Sequence, residues 1–166
     1  MVIVSGGQTG VDRAAWDVAI EIGLPIGGWV PKGRRAEDGA ISERYTGLRE
    51  AESTDPAVRT VLNVRDSDAT LIFSHGPLTG GSRLTFETAA RLKRPVLHVD
   101  LRDTTDAEAV AKVQTWLAAV RPNILNVAGP RASGDVSIGA HAGAVLRQAL
   151  RLLRFSSGAG EIEGSR

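Results

Sequence analysis

Apolar residues along the chain fall into two alternating spacings. Residues 1–5 (MVIVS) form a short β-branched run that halts at Gly6-Gly7, as strands buried on both faces of a parallel sheet do. From Val11 the period changes. Val11, Ala14, Ala15, Val18, Ala19 and Ile22 follow at i, i+3, i+4, i+7, i+8 and i+11, one face of a helix that Gly23 stops. Residues 24–30 make a second strand, closed by Pro31. Asp55-Pro56 opens another helix, with proline just after its cap, that runs to about Asp66. Further strands are predicted at 69–74, 95–99 and 124–128, and further helices at 82–92, 106–120 and 136–153. Ser82 is the expected N-cap of its helix.

Two stretches break the alternation. Residues 31–50 (PKGRRAEDGAISERYTGLRE) are charged and lack a sustained period, so they read as a long loop with at most one helical turn, the kind that is functional or mobile. Residues 155–166 are small, polar and glycine-rich, a flexible C-terminal tail by composition. Residues 1–154 then form a single domain. Five strands alternating with helices predict an α/β fold with an open, mainly parallel sheet covered on both faces.

Such sheets hold ligands outside the carboxyl ends of their strands. Four of the five predicted strands lead into glycine-bearing segments: GGQTG at 6–10, GG at 27–28, GPLTGG at 76–81 and GPR at 129–131. All four are expected along that one edge. In the first, free N–H groups at the start of a helix and its dipole favour an anion such as phosphate. Gln8 and Thr9 add side-chain donors, and Asp12 either serves the helix start or meets a sugar hydroxyl. The second, at Gly80, Gly81 and Ser82, repeats the design. Arg83 opposes the dipole of its helix there, and Arg34, Arg35 and Arg131 are further candidate anion partners.

Composition narrows the chemistry. The 166 residues carry a formal charge of +1 and no cysteine, which removes disulfides, thiolate nucleophiles and thiolate metal sites. The near-neutral balance argues against a nucleic-acid partner. No apolar run spans a membrane and the first residues lack a signal peptide's basic region, so the expected compartment is the cytoplasm, away from membranes. His75, His98 and His141 are far apart in sequence, so no metal site is expected. Ser74 and His75, as neighbours, make a poor nucleophile–base pair, and His98 reads as a core residue of a buried strand. The loop at Ser5, Gly7 and Gly10 lacks the first glycine of the dinucleotide fingerprint, and residues 24–30 (LPIGGWV) lack its acidic partner. No phosphate-loop motif of the G-x-x-x-x-G-K-[ST] kind is present. The pattern suits a binding site better than a reaction centre.

The strings GGQTGVDRAAWDVA (6–19), GGWVPKGRRAEDG (27–39), NVRDSDATLIFSHGPLTGGSRLT (63–85) and ILNVAGPR (124–131) resemble the molybdenum carrier, or molybdenum cofactor carrier, proteins. These sit within a wider group of Rossmann-like domains that includes the YpsA-type proteins and the LOG, or lysine decarboxylase-like, phosphoribohydrolases. The resemblance spans about residues 1–153. It implies a Rossmann-like three-layer α/β/α subunit, a homodimer or homotetramer, that binds molybdenum cofactor as cargo without transforming it. Synthesis or recipient enzymes of that cofactor would be its protein partners. Because the cofactor brings its own metal and a terminal phosphate, such a carrier needs a phosphate nest and no protein metal ligands. The family pattern puts Gly6, Gly7, Gln8, Thr9 and Gly10 against the phosphate, with Gly80, Gly81 and Ser82 as the second wall. Lys32, Arg34 and Arg35 would meet the anionic metal end or an oligomer partner.

The same resemblance leaves two alternatives: hydrolysis of a nucleoside monophosphate, or non-catalytic sensing of a nucleotide-derived ligand. The hydrolases carry P-G-G-x-G-T-x-x-E. Here residues 78–87 read LTGGSRLTFE, so the third glycine is missing and Thr85 stands two residues before Glu87 instead of three. Glu87 is the catalytic base only under that alternative, and otherwise faces solvent.

Overall fold

The computed structural model describes residues 1–158. In chain order the elements are β1 (Val2–Val4), α1 (Val11–Glu21), β2 (Ile26–Val30), β3 (Arg35–Ala36), β4 (Gly39–Ala40) and β5 (Leu48–Glu50). They continue with α2 (Pro56–Arg65), β6 (Ala69–Ser74), α3 (Gly80–Arg91), β7 (Val96–Asp100), α4 (Asp106–Val120), β8 (Ile124–Ala128) and α5 (Ile138–Gly158). Six strands form one sheet in the order β5-β2-β1-β8-β6-β7, and every pairing in it is parallel. The last strand of the chain therefore lies at the centre of the sheet. Helices α1, α4 and α5 cover one face, and α2 and α3 the other. This is the expected Rossmann-like three-layer arrangement.

The two helical layers are packed differently. Ile3, Leu71, Phe73, Leu125 and Val127 point from the strands into a continuous apolar core under α1, α4 and α5. Alternation along a strand sends their neighbours to the opposite face, where Thr70 and Asn126 meet through a 3.3 Å hydrogen bond. The helices above them bury Thr60, Asn63, Thr85 and Thr88. That side mixes these polar groups with aliphatic ones, among them Ile72, Val64 and Ala89. Among the described residues no helix is long and apolar enough to cross a membrane.

Several boundaries differ from the sequence-based expectation. Gly27 and Gly28 do not form a loop; they lie inside β2. Gly28 has φ +123°, and a Cβ there would stand 2.3 Å from the Ser5 carbonyl oxygen, so glycine allows β1 and β2 to approach. The Gly27 carbonyl also accepts the Trp16 Nε1–H at 3.1 Å. Thr79, not Ser82, is the N-cap of α3. Helix α5 reaches Gly158, past the start of the expected tail, whose residues 159–166 lie outside the described residues.

The segment 31–50 is more ordered than a long loop. Residues 48–50 pair with β2 as a sixth strand, at the sheet edge, where polar side chains are tolerated because only one side is paired. Ile41 and Tyr45 fold back onto Trp16 and Val30 as a small second core. The Arg34 guanidinium staples the turn by donating to the carbonyls of Ile41, Ser42 and Tyr45 at 3.2, 2.8 and 3.0 Å. Strands β3 and β4 form a short antiparallel hairpin.

Candidate functional site

A cavity of about 660 Å³ opens at the carboxyl ends of β1, β6 and β8, where a doubly wound sheet places its ligands. Its walls are the start of α2 (Asp55, Arg59, Thr60), the start of α3 (Gly80, Gly81, Ser82), Gln8 and Asp12 after β1, and Gly129 to Gly134 after β8. Helix α3 arrives with free donors. Thr79 makes no side-chain capping bond, and the amides of the first turn have no acceptor within the helix. The dipole adds a partial positive charge at the same place. A Cβ on Gly81 would meet nothing within 4 Å, so that position faces open space in the cavity wall.

The loop after β1 is built differently. The Gln8 N–H donates to Asp12 Oδ2 at 3.2 Å, the Thr9 N–H to Gln8 Oε1 at 3.1 Å, and the Val11 N–H to the Pro130 carbonyl at 3.3 Å. A carboxylate of the chain itself thus occupies part of the nest. Asp12 is buried, and burial pushes its carboxyl above the ordinary carboxylate value; the Arg59 guanidinium and the Gln8 amide oppose that rise. Arg59 stands 3.4 Å from Asp12. It lies flat over Gly6, where a Cβ would come within 1.7 Å of its guanidinium. Its Nε is buried with no hydrogen-bond partner. Gly6 is therefore the floor on which Arg59 rests.

Of the residues singled out in the sequence, Gln8, Gly80, Gly81 and Ser82 line the cavity, together with Arg131. Thr9 instead bridges the Glu37 carboxylate and the Ala132 N–H. Gly7 packs beneath Trp16 and Ile41, and Gly10 against the Pro130 carbonyl. Lys32 and Arg35 are exposed on the segment after β2, and Arg34 is committed to the backbone carbonyls already described. Glu87 is exposed and pairs with Arg83 at 2.7 Å, one helical turn away on the outer surface of α3. It does not line the cavity.

Arg59 and Asp55 are the charged lining residues that sequence reasoning did not assign to the site. The signal was present: Asp55 caps α2 through the Ala57 N–H at 2.9 Å, and Arg59 follows four residues later on the same face. The cavity has one end of amide and guanidinium donors, suited to an anion. Asp55, at the start of α2, adds a carboxylate that accepts hydrogen bonds.

His98, expected in the core, is half-buried. Its Nε2 lies 2.7 Å from the Ser74 hydroxyl, and burial holds it below the ordinary histidine value. No group of three or more histidine, cysteine or acidic side chains converges on a metal position among the described residues.

Comparison with known proteins agrees with this architecture. The model of the circularly permutated YpsA SLOG family matches residues 3–150. A crystal structure of a protein from Syntrophus aciditrophicus SB, named "Putative molybdenum carrier protein", superposes with a TM-score of 0.87 at 47% identity, covering 90% of this chain and 94% of that one. No curated protein matches the chain. The chain belongs to the circularly permutated YpsA SLOG family.

Proposed function

We propose that this protein binds molybdenum cofactor in the cavity between α2 and α3 and carries it without chemical change. The observation that carries the reading is the open first turn of α3, with Gly80, Gly81 and Ser82 beside Arg59 and Arg131 in a 660 Å³ cavity. That volume falls within the range of small-molecule sites. The cofactor's terminal phosphate is a match for the helix start and the guanidinium groups. The N–H edge of its pterin is a match for carboxylate and amide acceptors such as Asp55 and Gln8. The name of the Syntrophus relative, which speaks of a molybdenum carrier, supports a molybdenum-related cargo.

The test is retention. Purified protein is incubated with freshly released molybdenum cofactor and desalted, and the protein fraction is oxidised and read for pterin fluorescence. The native chain is expected to retain the pterin. Gly81→Val is expected to lose it while keeping its circular dichroism and melting temperature, because the new side chain enters the cavity without a clash. Retention by neither protein, under conditions where a cofactor-binding control succeeds, refutes the carrier reading and turns attention to nucleotide ligands.

A further inference from the structure

The three histidines are scattered in sequence, yet two of them meet. His75 follows β6, and His141 lies in the first turn of α5. His75 Nε2 stands 2.8 Å from His141 Nδ1. Each ring is held at its other nitrogen by a carboxylate: His75 Nδ1 lies 2.6 Å from Asp135, and His141 Nε2 lies 2.8 Å from Asp106. Asp135–His75–His141–Asp106 is a continuous chain drawn from four separate parts of the fold.

Counting protons along this chain gives an unusual result. An ionised carboxylate only accepts, and the bond from His75 holds the Asp135 carboxyl below the ordinary value once its burial is overcome. Asp106 is largely exposed to water, and its carboxylate oxygen faces His141 Nε2. Both outer nitrogens must then carry hydrogen. If the two rings were neutral, both inner nitrogens would be bare, and two lone pairs would face each other at 2.8 Å. A hydrogen-bond distance needs one donor. Three contacts require three N–H groups, whereas two neutral imidazoles supply two.

We propose that His75 and His141 share one additional proton, held between His75 Nε2 and His141 Nδ1, so that the pair carries a single positive charge between two carboxylates. The ring centroids are 5.0 Å apart, so the two nitrogens lie nearly on the line joining the rings. That is the geometry of an N–H···N hydrogen bond. A metal ion on that line, with bonds of about 2.0–2.1 Å to each nitrogen, would hold them about 4 Å apart.

The neighbouring charges leave this balance to the chain itself. In the first turn of α4, Glu108 is tied to the Thr105 N–H at 2.9 Å, and Lys112 reaches Thr104. On the β7 side, Asp100 accepts the Gly76 N–H at 2.8 Å and Arg102 lies beside Gly76. On α1, which packs along α5, Arg13, Asp17 and Glu21 are each paired elsewhere.

The shared proton has a mechanical role. His75 leads into the loop that delivers the start of α3, and Asp135 ends the loop running from Gly129 along the cavity wall. The His75–Asp135 bond joins two cavity walls, and the shared proton extends that joint to α5 and α4. Removing the proton leaves two N–H groups for three contacts. The exposed Asp106 contact is then the one released, since water solvates that carboxylate at least cost. Adding a fourth proton places two donors face to face and parts the rings.

The experiment is a two-bond ¹H–¹⁵N correlation on untagged, ¹⁵N-labelled protein at neutral pH in chelator-treated buffer. His75 Nδ1 and His141 Nε2 are expected to report a full proton each, and the two inner nitrogens about half a proton each. In His141→Gln, His75 is expected to become a neutral ring with a proton on Nδ1. Amides of Gly129 and of residues 131–135 are expected to exchange several-fold faster in that variant. A bare outer nitrogen, four protonated nitrogens, or a His75 spectrum indifferent to His141→Gln each overturns the proposal. So does a joint shift of both rings on adding one equivalent of Zn²⁺ that restores bare inner nitrogens, since it marks a cation seat instead. Unchanged exchange at Gly129 and 131–135 overturns the link to the cavity wall. None of these readouts depends on the identity of the carried ligand.

Discussion

The Thr88 hydroxyl is buried in α3 and has no hydrogen-bond partner. A buried donor left unpaired forfeits its bonds to water without replacement. Thr88→Val, which keeps the shape and removes the polar atom, is expected to raise stability by about 1 kcal/mol, read as a higher urea midpoint at unchanged slope. Among the described residues the other such atom is the buried Nε of Arg59, whose side chain lines the cavity. Single residues were unevenly legible. The glycines at 80–81 announced a helix start, because a strand precedes them and a helical period follows. The glycines at 27–28 carried the same letters and were misplaced. Whether a glycine turns the chain or admits a neighbouring backbone depends on what lies across from it, here the Ser5 carbonyl.

At the scale of elements, the β3–β4 hairpin is fastened over the loops after β1 and β8. Glu37 accepts hydrogen bonds from the Thr9 hydroxyl and from the Ser133 N–H and hydroxyl. Arg13 and Asp38 add a two-pronged ion pair at 2.5 and 2.7 Å. The Ser133 and Thr9 hydroxyls hold the Glu37 carboxyl below its ordinary value. A lowered carboxyl favours the fastened form above the ordinary carboxylate range, and that contribution is lost as pH falls through the lowered value. In an acid titration followed by the amide resonances of Thr9 and Ser133, the native hairpin is expected to show this step and Glu37→Gln to lack it. A step of equal size in the variant would assign it to another carboxyl. None of this fastening was visible in the sequence, because 31–50 has no period and its order comes from contacts with Trp16, Thr9 and Ser133, distant in the chain. The capped helices were visible. Asp55-Pro56 and the Thr105/Glu108 capping box carry their own start signals within four residues.

For the whole molecule, the unequal packing of the two faces sets where the fold opens first. The α1, α4 and α5 layer rests on the continuous apolar core, while α2 and α3 bury a more polar set, Thr60, Asn63, Ser82, Thr85 and Thr88 beside Val64 and Ala89. Native-state hydrogen exchange is expected to show α2 and α3 amides opening at lower free energy than those of α1 and α5; equal protection in both layers would contradict this. The flanks of the cavity are thus drawn from the looser layer. Parallel strands and helices on both faces were readable from alternation of period. The position of β8 was not, since strand order depends on pairings between distant residues. That position constrains synthesis: β1 and β2 emerge early, β6 and β7 later, and neither pair gains its central neighbour until residues 124–128 have been made. A nascent chain stalled before that point presents two unjoined half-sheets with bare inner edges, so such intermediates are exposed to aggregation.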